Sequence, residues 1–261
     1  MPRTLLITGG SRGIGAAVAR LAVGAGYVVA IGYREASQAA DALVAELRAA
    51  GGRATAFPAD VSTEADVLRL FAAVDREFPD APLAALVNSA GITGPGGTID
   101  RYAGAPLIDL FAINAVGTIL CCREAVRRMS RSAGGVGGAI VNVSSMAATI
   151  GGRPGRSAYA ASKAAVDAFT VGLAKEVAGD GIRVNAVRPG MTRTDMTGDV
   201  LADPQRQRAI AATIPMNRIA EADEVARPIL WLLSDAASFV TGALVDVSGG
   251  GFVIGGAAPR R

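Results

Sequence analysis

Seven short apolar runs, at residues 4–8, 27–32, 54–58, 83–88, 139–143, 182–187 and 243–247, limit what this chain can become. Each is strand-sized and rich in Val, Ile, Leu and Ala, the pattern of strands buried on both faces. Between them lie longer stretches with helical spacing, at 16–24, 37–50, 63–78, 105–130, 157–179 and 223–233. Strands alternating with helices of this length imply right-handed βαβ crossovers. The expected fold class is α/β, a doubly wound parallel sheet of seven strands flanked by helices. No linker, repeat or low-complexity tract interrupts the alternation, so residues 1–261 read as a single domain. Ser62 or Thr63 is expected to cap the third helix. Pro228 lies past the first turn of the last helix and should kink it.

Composition removes several chemistries. The chain has no histidine, which excludes His-based triads and most zinc sites, and no metal site is expected. Cys121 and Cys122 are adjacent, which suits neither a structural bridge nor a metal cluster. The net charge is +3 with both signs scattered, so no nucleic-acid partner is expected. No apolar run reaches the ~18 residues of a membrane span. The start, Met1-Pro2-Arg3, passes directly into a strand-like run without a separate signal peptide. A cytoplasmic protein with no membrane partner is the expectation.

Two stretches carry chemistry. Residues 9–15 form a glycine-rich turn between the first strand and the first helix. Glycines permit the tight turn, and a helix N-terminus offers free N–H groups to a pyrophosphate. Tyr159 and Lys163 stand four residues apart in an alanine-rich helix and so share one face. A nearby ammonium favours the phenolate, so Lys163 should draw the Tyr159 pKa toward neutrality. A tyrosine tuned in this way can give a proton to a carbonyl or take one from an alcohol.

Six segments, in order, resemble the motifs of the short-chain dehydrogenase/reductase family, in its short single-domain branch with a Rossmann fold. They are Thr8-Gly9-Gly10-Ser11-Arg12-Gly13-Ile14-Gly15, Asn88-Ser89-Ala90-Gly91, the 111–117 segment around Asn114, Val143-Ser144-Ser145, Arg188-Pro189-Gly190 with Thr192 and Thr194, and residues 239–250. Serine replaces the second asparagine of the family's Asn-Asn-Ala-Gly. The 145-to-159 interval is one residue longer than the family's serine–tyrosine spacing, which an extra residue in the 151–155 loop would absorb.

The resemblance implies that Tyr159 is the general acid in reduction and the base in oxidation. Lys163 would lower its pKa and hold the nicotinamide ribose. Ser145 would donate to the substrate oxygen, and Asn114 would hold a water in a proton relay. Strand alternation lets one of Ser144 and Ser145 face the cofactor. Alignment favours Ser145 and leaves Ser144 as a strand-end hydroxyl bonding backbone. The cofactor would be gripped by Gly9, Ser11, Arg12, Gly13, Ile14 and Gly15, by Asn88, Ala90 and Gly91, and by Pro189, Gly190, Thr192 and Thr194, with Tyr159 and Lys163 at the ribose. Asp60 and Val61 would hold the adenine, the alternative for Asp60 being a helix cap.

At the end of the second strand, Tyr33 and Arg34, with Arg12, favour NADP(H), since arginine accommodates a 2′-phosphate. Glu35 could instead accept a ribose hydroxyl, leaving NAD(H) open. Residues 191–217 match the family's variable substrate lid. The implied activity is hydride transfer between nicotinamide and a small-molecule carbonyl or secondary alcohol. Candidate substrates are 3-oxoacyl thioesters, sugars or polyols, and cyclic ketones. A homotetramer or homodimer, paired through the two long central helices and the last strand, is expected by resemblance. A dinucleotide-sensing binding protein on the same fold is the alternative.

Overall fold

The computed structural model describes residues 2–251, so Met1 and 252–261, the ends of the span read as one domain, lie outside the described residues. Among the described residues nine strands form, at Arg3–Thr8 (β1), Tyr27–Tyr33 (β2), Ala54–Pro58 (β3), Leu83–Asn88 (β4), Gly138–Val143 (β5), Ile182–Pro189 (β6), Thr192–Arg193 (β7), Ala220–Glu221 (β8) and Leu244–Val247 (β9). Seven of them make one parallel sheet in the order β3-β2-β1-β4-β5-β6-β9, while β7 and β8 pair separately. This is the doubly wound Rossmann topology. The order reverses between β1 and β4, which opens a crevice above the carboxyl ends of those strands.

Helices cover both faces. The elements α1 (Gly13–Gly24), α2 (Ser37–Ala49), α3 (Glu64–Glu77), α4 (Gly104–Phe111), α5 (Gly117–Met129), α6 (Ala147–Ile150), α7 (Ser157–Val177), α8 (Gly198–Leu201), α9 (Pro204–Ala211) and α10 (Ala222–Leu233) follow in chain order. Strand alternation divides the core in two. Leu5, Ile7, Val29, Ile31 and Val141 pack under α1, α2 and α10. Leu6, Val28, Leu86, Ile140 and Val184 pack under α3, α5 and α7. Cys121 and Cys122 are buried free thiols on α5, and burial pushes the Cys121 thiol up to about 12. Buried thiols of this kind act as small apolar side chains.

Several expectations change. The helix expected over 105–130 runs from Gly104 to Met129, but residues 112–116 form a π-helical turn in its middle. By length and composition that helix could cross a membrane, contrary to the expectation that no run is long and apolar enough to do so. Here it packs on β4, β5, α3 and α7 as part of the core. Thr63 occupies the N-cap of α3 without a side-chain cap bond, and neither Ser62 nor Thr63 closes that end. Asp66 accepts from the Asp60 backbone N–H at 2.9 Å instead, and Asp60 accepts from Ser62 N–H at 2.9 Å.

Helix α10 continues five residues past Pro228. Glu221 and Glu224 form a capping box at its start, and Val225, Ala226, Ile229, Leu232 and Leu233 are buried against the core. Those anchors outweigh the one hydrogen bond that proline removes. Residues 191–217, read as irregular, contain β7, α8 and α9.

Candidate active site

The crevice is built from β-strand ends and helix starts. Gly9 has φ +62°, and a Cβ there would lie 2.7 Å from Ala90 Cα. A Cβ on Gly15 would lie 2.5 Å from the Gly9 carbonyl oxygen. The turn is therefore closed against both the β4 end and its own helix, and only glycine fits. Helix α1 begins with no side-chain cap and no acidic residue in its first turn. The amides of Gly13, Ile14 and Gly15 thus face the crevice end without an internal competitor, which fits an anionic pyrophosphate. Thr194 sits over the turn, since a Cβ on Gly13 would meet its Cγ2 at 3.2 Å.

Four side chains read from the sequence converge at the ends of β4 and β5. Tyr159 and Lys163 project from α7, Ser145 follows β5, and Asn114 comes from the π turn. The Asn114 carboxamide is fully engaged: Oδ1 accepts from Ile92 N–H at 2.8 Å, and Nδ2 donates to Ile92 O at 2.9 Å and to Ser162 Oγ at 3.0 Å. Ser162 donates on to the Tyr159 carbonyl at 2.8 Å. The π turn lets one helix residue grip the strand-exit loop and α7 together, a use typical of π bulges. Asn114→Leu should leave these buried groups unpaired and lower stability by about 3 kcal/mol. Chemical denaturation measures this, and a loss under about 0.5 kcal/mol would remove Asn114 from that role.

Ser144 and Ser145 differ sharply. Ser144 is buried and donates to the Lys163 carbonyl at 3.1 Å. Ser145 is partly exposed, its Oγ accepts from Ala147 N–H at 3.1 Å, and it stands near enough to the Tyr159 hydroxyl to favour the phenolate. Lys163 is buried, and its Nζ donates to Val143 O at 2.8 Å. A Cβ on Gly91 would lie 3.4 Å from that Nζ, so the ammonium borders the segment after β4. Burial lowers the Lys163 pKa to about 8, against the raising influence of Asp167.

The expectation that Lys163 lowers the Tyr159 pKa does not hold for the protein alone. Burial raises the Tyr159 phenol above its ordinary value, and the Ser145 bond and the Arg156 charge act against that rise. The lysine is turned to Val143, and its own charge is weakened by burial. Arg156 was not anticipated. It donates to the carbonyls of Gly94 at 3.1 Å and Thr93 at 3.4 Å, tying the loop after β4 to the start of α7. An arginine in a glycine-rich loop, three residues after Arg153, gave no periodic signal for this role.

The cofactor residues divide into two groups. Gly9, Ser11, Arg12, Gly13, Ile14 and Gly15 line the turn, Ala90 and Gly91 border it, and Pro189, Gly190, Thr192 and Thr194 form the opposite wall after β6. Asn88 departs from its expected role. It is 3% exposed, and its Nδ2 donates to Asn142 Oδ1 at 2.9 Å and to Cys122 Sγ at 3.2 Å, within the sheet. Its side chain is held between β4, β5 and α5 and is not offered to a ligand. Asp60 is spent on its own turn, as the cap-like alternative allowed, and lies 3.8 Å from Arg34 Nη1. Val61 is buried beside Gly117. Tyr33 ends β2, with its carbonyl accepting from Ala59 N–H at 2.7 Å. Arg34 pairs with Glu35 at 2.8 Å and Arg12 with Asp195 at 3.3 Å, both on the surface.

A switch-point crevice with a glycine turn on one side and a Tyr–Ser–Lys–Asn cluster on the other defines an oxidoreductase that works with a nicotinamide dinucleotide. The comparisons agree. A family model described as enoyl-(acyl carrier protein) reductase matches residues 9–251. The chain belongs to the short-chain dehydrogenase/reductase family. It is 47% identical over 245 residues to an uncharacterized oxidoreductase, YgfF, of Escherichia coli (strain K12), covering 94% of this chain and 98% of that one. It is 40% identical over 248 residues to the cis-4-hydroxycyclohexanecarboxylate dehydrogenase of Sinomonas cyclohexanicum, covering 95% and 96%. A solved dehydrogenase/reductase of Sinorhizobium meliloti 1021 superposes with a TM-score of 0.87 at 34% identity, covering 95% and 94%. The protein is an NAD(P)-dependent oxidoreductase acting on CH–OH or C=O groups of a small molecule.

Proposed function

We propose that Tyr159 protonates the carbonyl oxygen in reduction and takes that proton in oxidation, while Ser145 donates to the same oxygen. The observation that carries this reading is the gathering of these side chains at the β5 end: Ser145 acts on the Tyr159 phenol, Lys163 Nζ donates to the Val143 carbonyl, and Asn114 is bonded to Ser162 of the same helix. When bound, the nicotinamide supplies or accepts the hydride. Ser145 steadies the charge that develops on the substrate oxygen. Lys163 holds the nicotinamide ribose and passes protons toward solvent through a water held by Asn114, at its main-chain carbonyl because the carboxamide is engaged. The amides of Gly13–Gly15 hold the pyrophosphate. Residues 191–217 act as the lid, Met191 and Met216 lining a cavity of about 330 Å³ beneath it.

The substrate is a ring-sized ketone or secondary alcohol. The cyclic hydroxy acid named for the Sinomonas relative supports this, and an open groove of about 490 Å³ bordered by Met146, the residue after Ser145, and by Ile150 and Ser248 has room for a ring. The cofactor is NADP(H). Arg12 is held by the exposed Asp195, and Arg34 by the exposed Glu35 and, at 3.8 Å, by the partly exposed Asp60; such surface pairs are worth about 0–1 kcal/mol. A 2′-phosphate displaces them readily. The site works in the cytoplasm in a homodimer or homotetramer, which the exposed Ile108, Val116 and Ile119 of the central helix support.

Arg34→Ala should weaken NADPH binding about 10- to 100-fold while leaving NADH nearly unchanged, as loss of a charge-assisted phosphate contact requires. Titration with each cofactor tests this. An equal loss for both would shift the ribose contact to Glu35 and favour NAD(H).

A further inference from the structure

Lys163 and Asp167 lie four residues apart on α7, so their side chains share one helix face. Both are buried, Lys163 at 6% and Asp167 at 7% exposure. Asp167 Oδ2 accepts from Arg188 Nε at 2.9 Å, and Arg188 stands one residue before Pro189 on β6. Asp167 Oδ1 is buried and has no hydrogen-bond partner among the described residues. The pairing with Arg188 accounts for Oδ2, but leaving Oδ1 of a buried carboxylate unsatisfied costs free energy that this ion pair alone does not explain. Its field falls on Lys163: among the described residues, Asp167 is the carboxylate whose charge holds the Lys163 pKa up against burial. Arg188 is steadied in turn by Asp246 of β9 at 3.5 Å.

We infer that Asp167 is a positioning residue for Lys163: the buried carboxylate, clamped by Arg188, keeps the lysine charged and directed at the crevice. The inference rests on the reading of Lys163 as the ribose-holding and proton-relay group. The charged and titratable groups around Lys163 are few. Its own helix gives Tyr159 one turn before and Asp167 one turn after, and β6 gives Arg188. The π turn and α6 contribute none. Asp109 on α4 is exposed, and Glu124 on α5 is bound to Arg123, Arg127 and Arg128.

The signs can be separated by two substitutions. Removing the negative charge in Asp167→Asn should move the Lys163 titration midpoint to more acid pH by about one pH unit. Removing the positive charge in Arg188→Met should move it to more alkaline pH. Both are measured on the cofactor-free full-length protein, from the pH dependence of Lys163 acylation followed by peptide mass spectrometry. Circular dichroism checks folding, and either variant suffices if the other fails to fold. Simple loosening of the helix would move both midpoints the same way, toward that of a solvated lysine. That result, or an unmoved midpoint in a folded variant, overturns the inference. The pH profile of kcat in the loaded enzyme is a separate readout. A profile that ignores a shifted Lys163 midpoint would contradict the role of Lys163 in the reaction and leave the link from Asp167 to Lys163 intact.

Discussion

Tyr159→Phe should reduce kcat about 100- to 10,000-fold while changing cofactor affinity by less than about threefold, because it removes one transferable proton and no packing volume. In the proposed reaction the phenol is the acid, standing beside Ser145 in the crevice. Without it the carbonyl oxygen would have to take its proton from water. Since burial raises the Tyr159 pKa and the protein alone supplies only Ser145 and Arg156 against it, the alcohol-oxidising direction should be favoured at alkaline pH. The same argument makes reduction persist toward neutral pH, where the phenol keeps its proton. A variant that turns over at near the wild-type rate would remove Tyr159 from the mechanism.

Gly9→Val should act on binding and folding together. The added Cβ would stand 2.7 Å from Ala90 Cα and 2.8 Å from Ala90 N, backbone atoms that cannot swing aside. The backbone at Gly9 also has φ +62°, which a β-branched residue adopts only under strain. Overpacking and strain together should cost about 3–5 kcal/mol. Cofactor affinity should fall at least about 100-fold, because the turn can no longer seat against β4 while opening α1 to the pyrophosphate. Gly24→Ala is the control: nothing lies within 4 Å of its position, and its stability should stay within about 1 kcal/mol of wild type. Equal behaviour of the two variants, by thermal melts and cofactor titration, would mean that the close approach at Gly9 does not matter.

The inner strands β1, β2, β4, β5 and β6 were legible because they are buried on both faces and therefore read as unbroken apolar runs, while the edge strands β3 and β9, only partly buried, were legible from their short apolar runs between helix-sized spacers. Glycine and helix-sized spacers fixed where they end to within a residue or so. The Tyr159–Lys163 pair was legible because helix geometry alone puts residues four apart on one face. What Lys163 does with its charge was not, since that depends on the Val143 carbonyl and on Asp167, reached only when α7 docks on β5 and β6. Asn88 illustrates the same limit. Its place at the end of β4 is set by the local pattern, but its side-chain direction is decided by Asn142 and Cys122, from elements 54 and 34 residues away. The π turn at Asn114 also had no local cause. A polar residue in an apolar helix was visible, but the partners that justify it, Ile92 and Ser162, come from other elements.

The central claim, hydride transfer in this crevice with Tyr159 as acid and base, is tested most directly by one measurement. Nicotinamide absorbance is followed with the purified protein and either NADPH or NADH, against cyclic ketones, keto- and hydroxycyclohexanecarboxylates, acetoacetyl thioesters and sugars. The predicted result is consumption of NADPH, matched mole for mole by alcohol product, with a ring-sized carbonyl. Tight binding of either cofactor with no turnover on any of these classes, in either direction, would contradict the claim and favour a dinucleotide sensor.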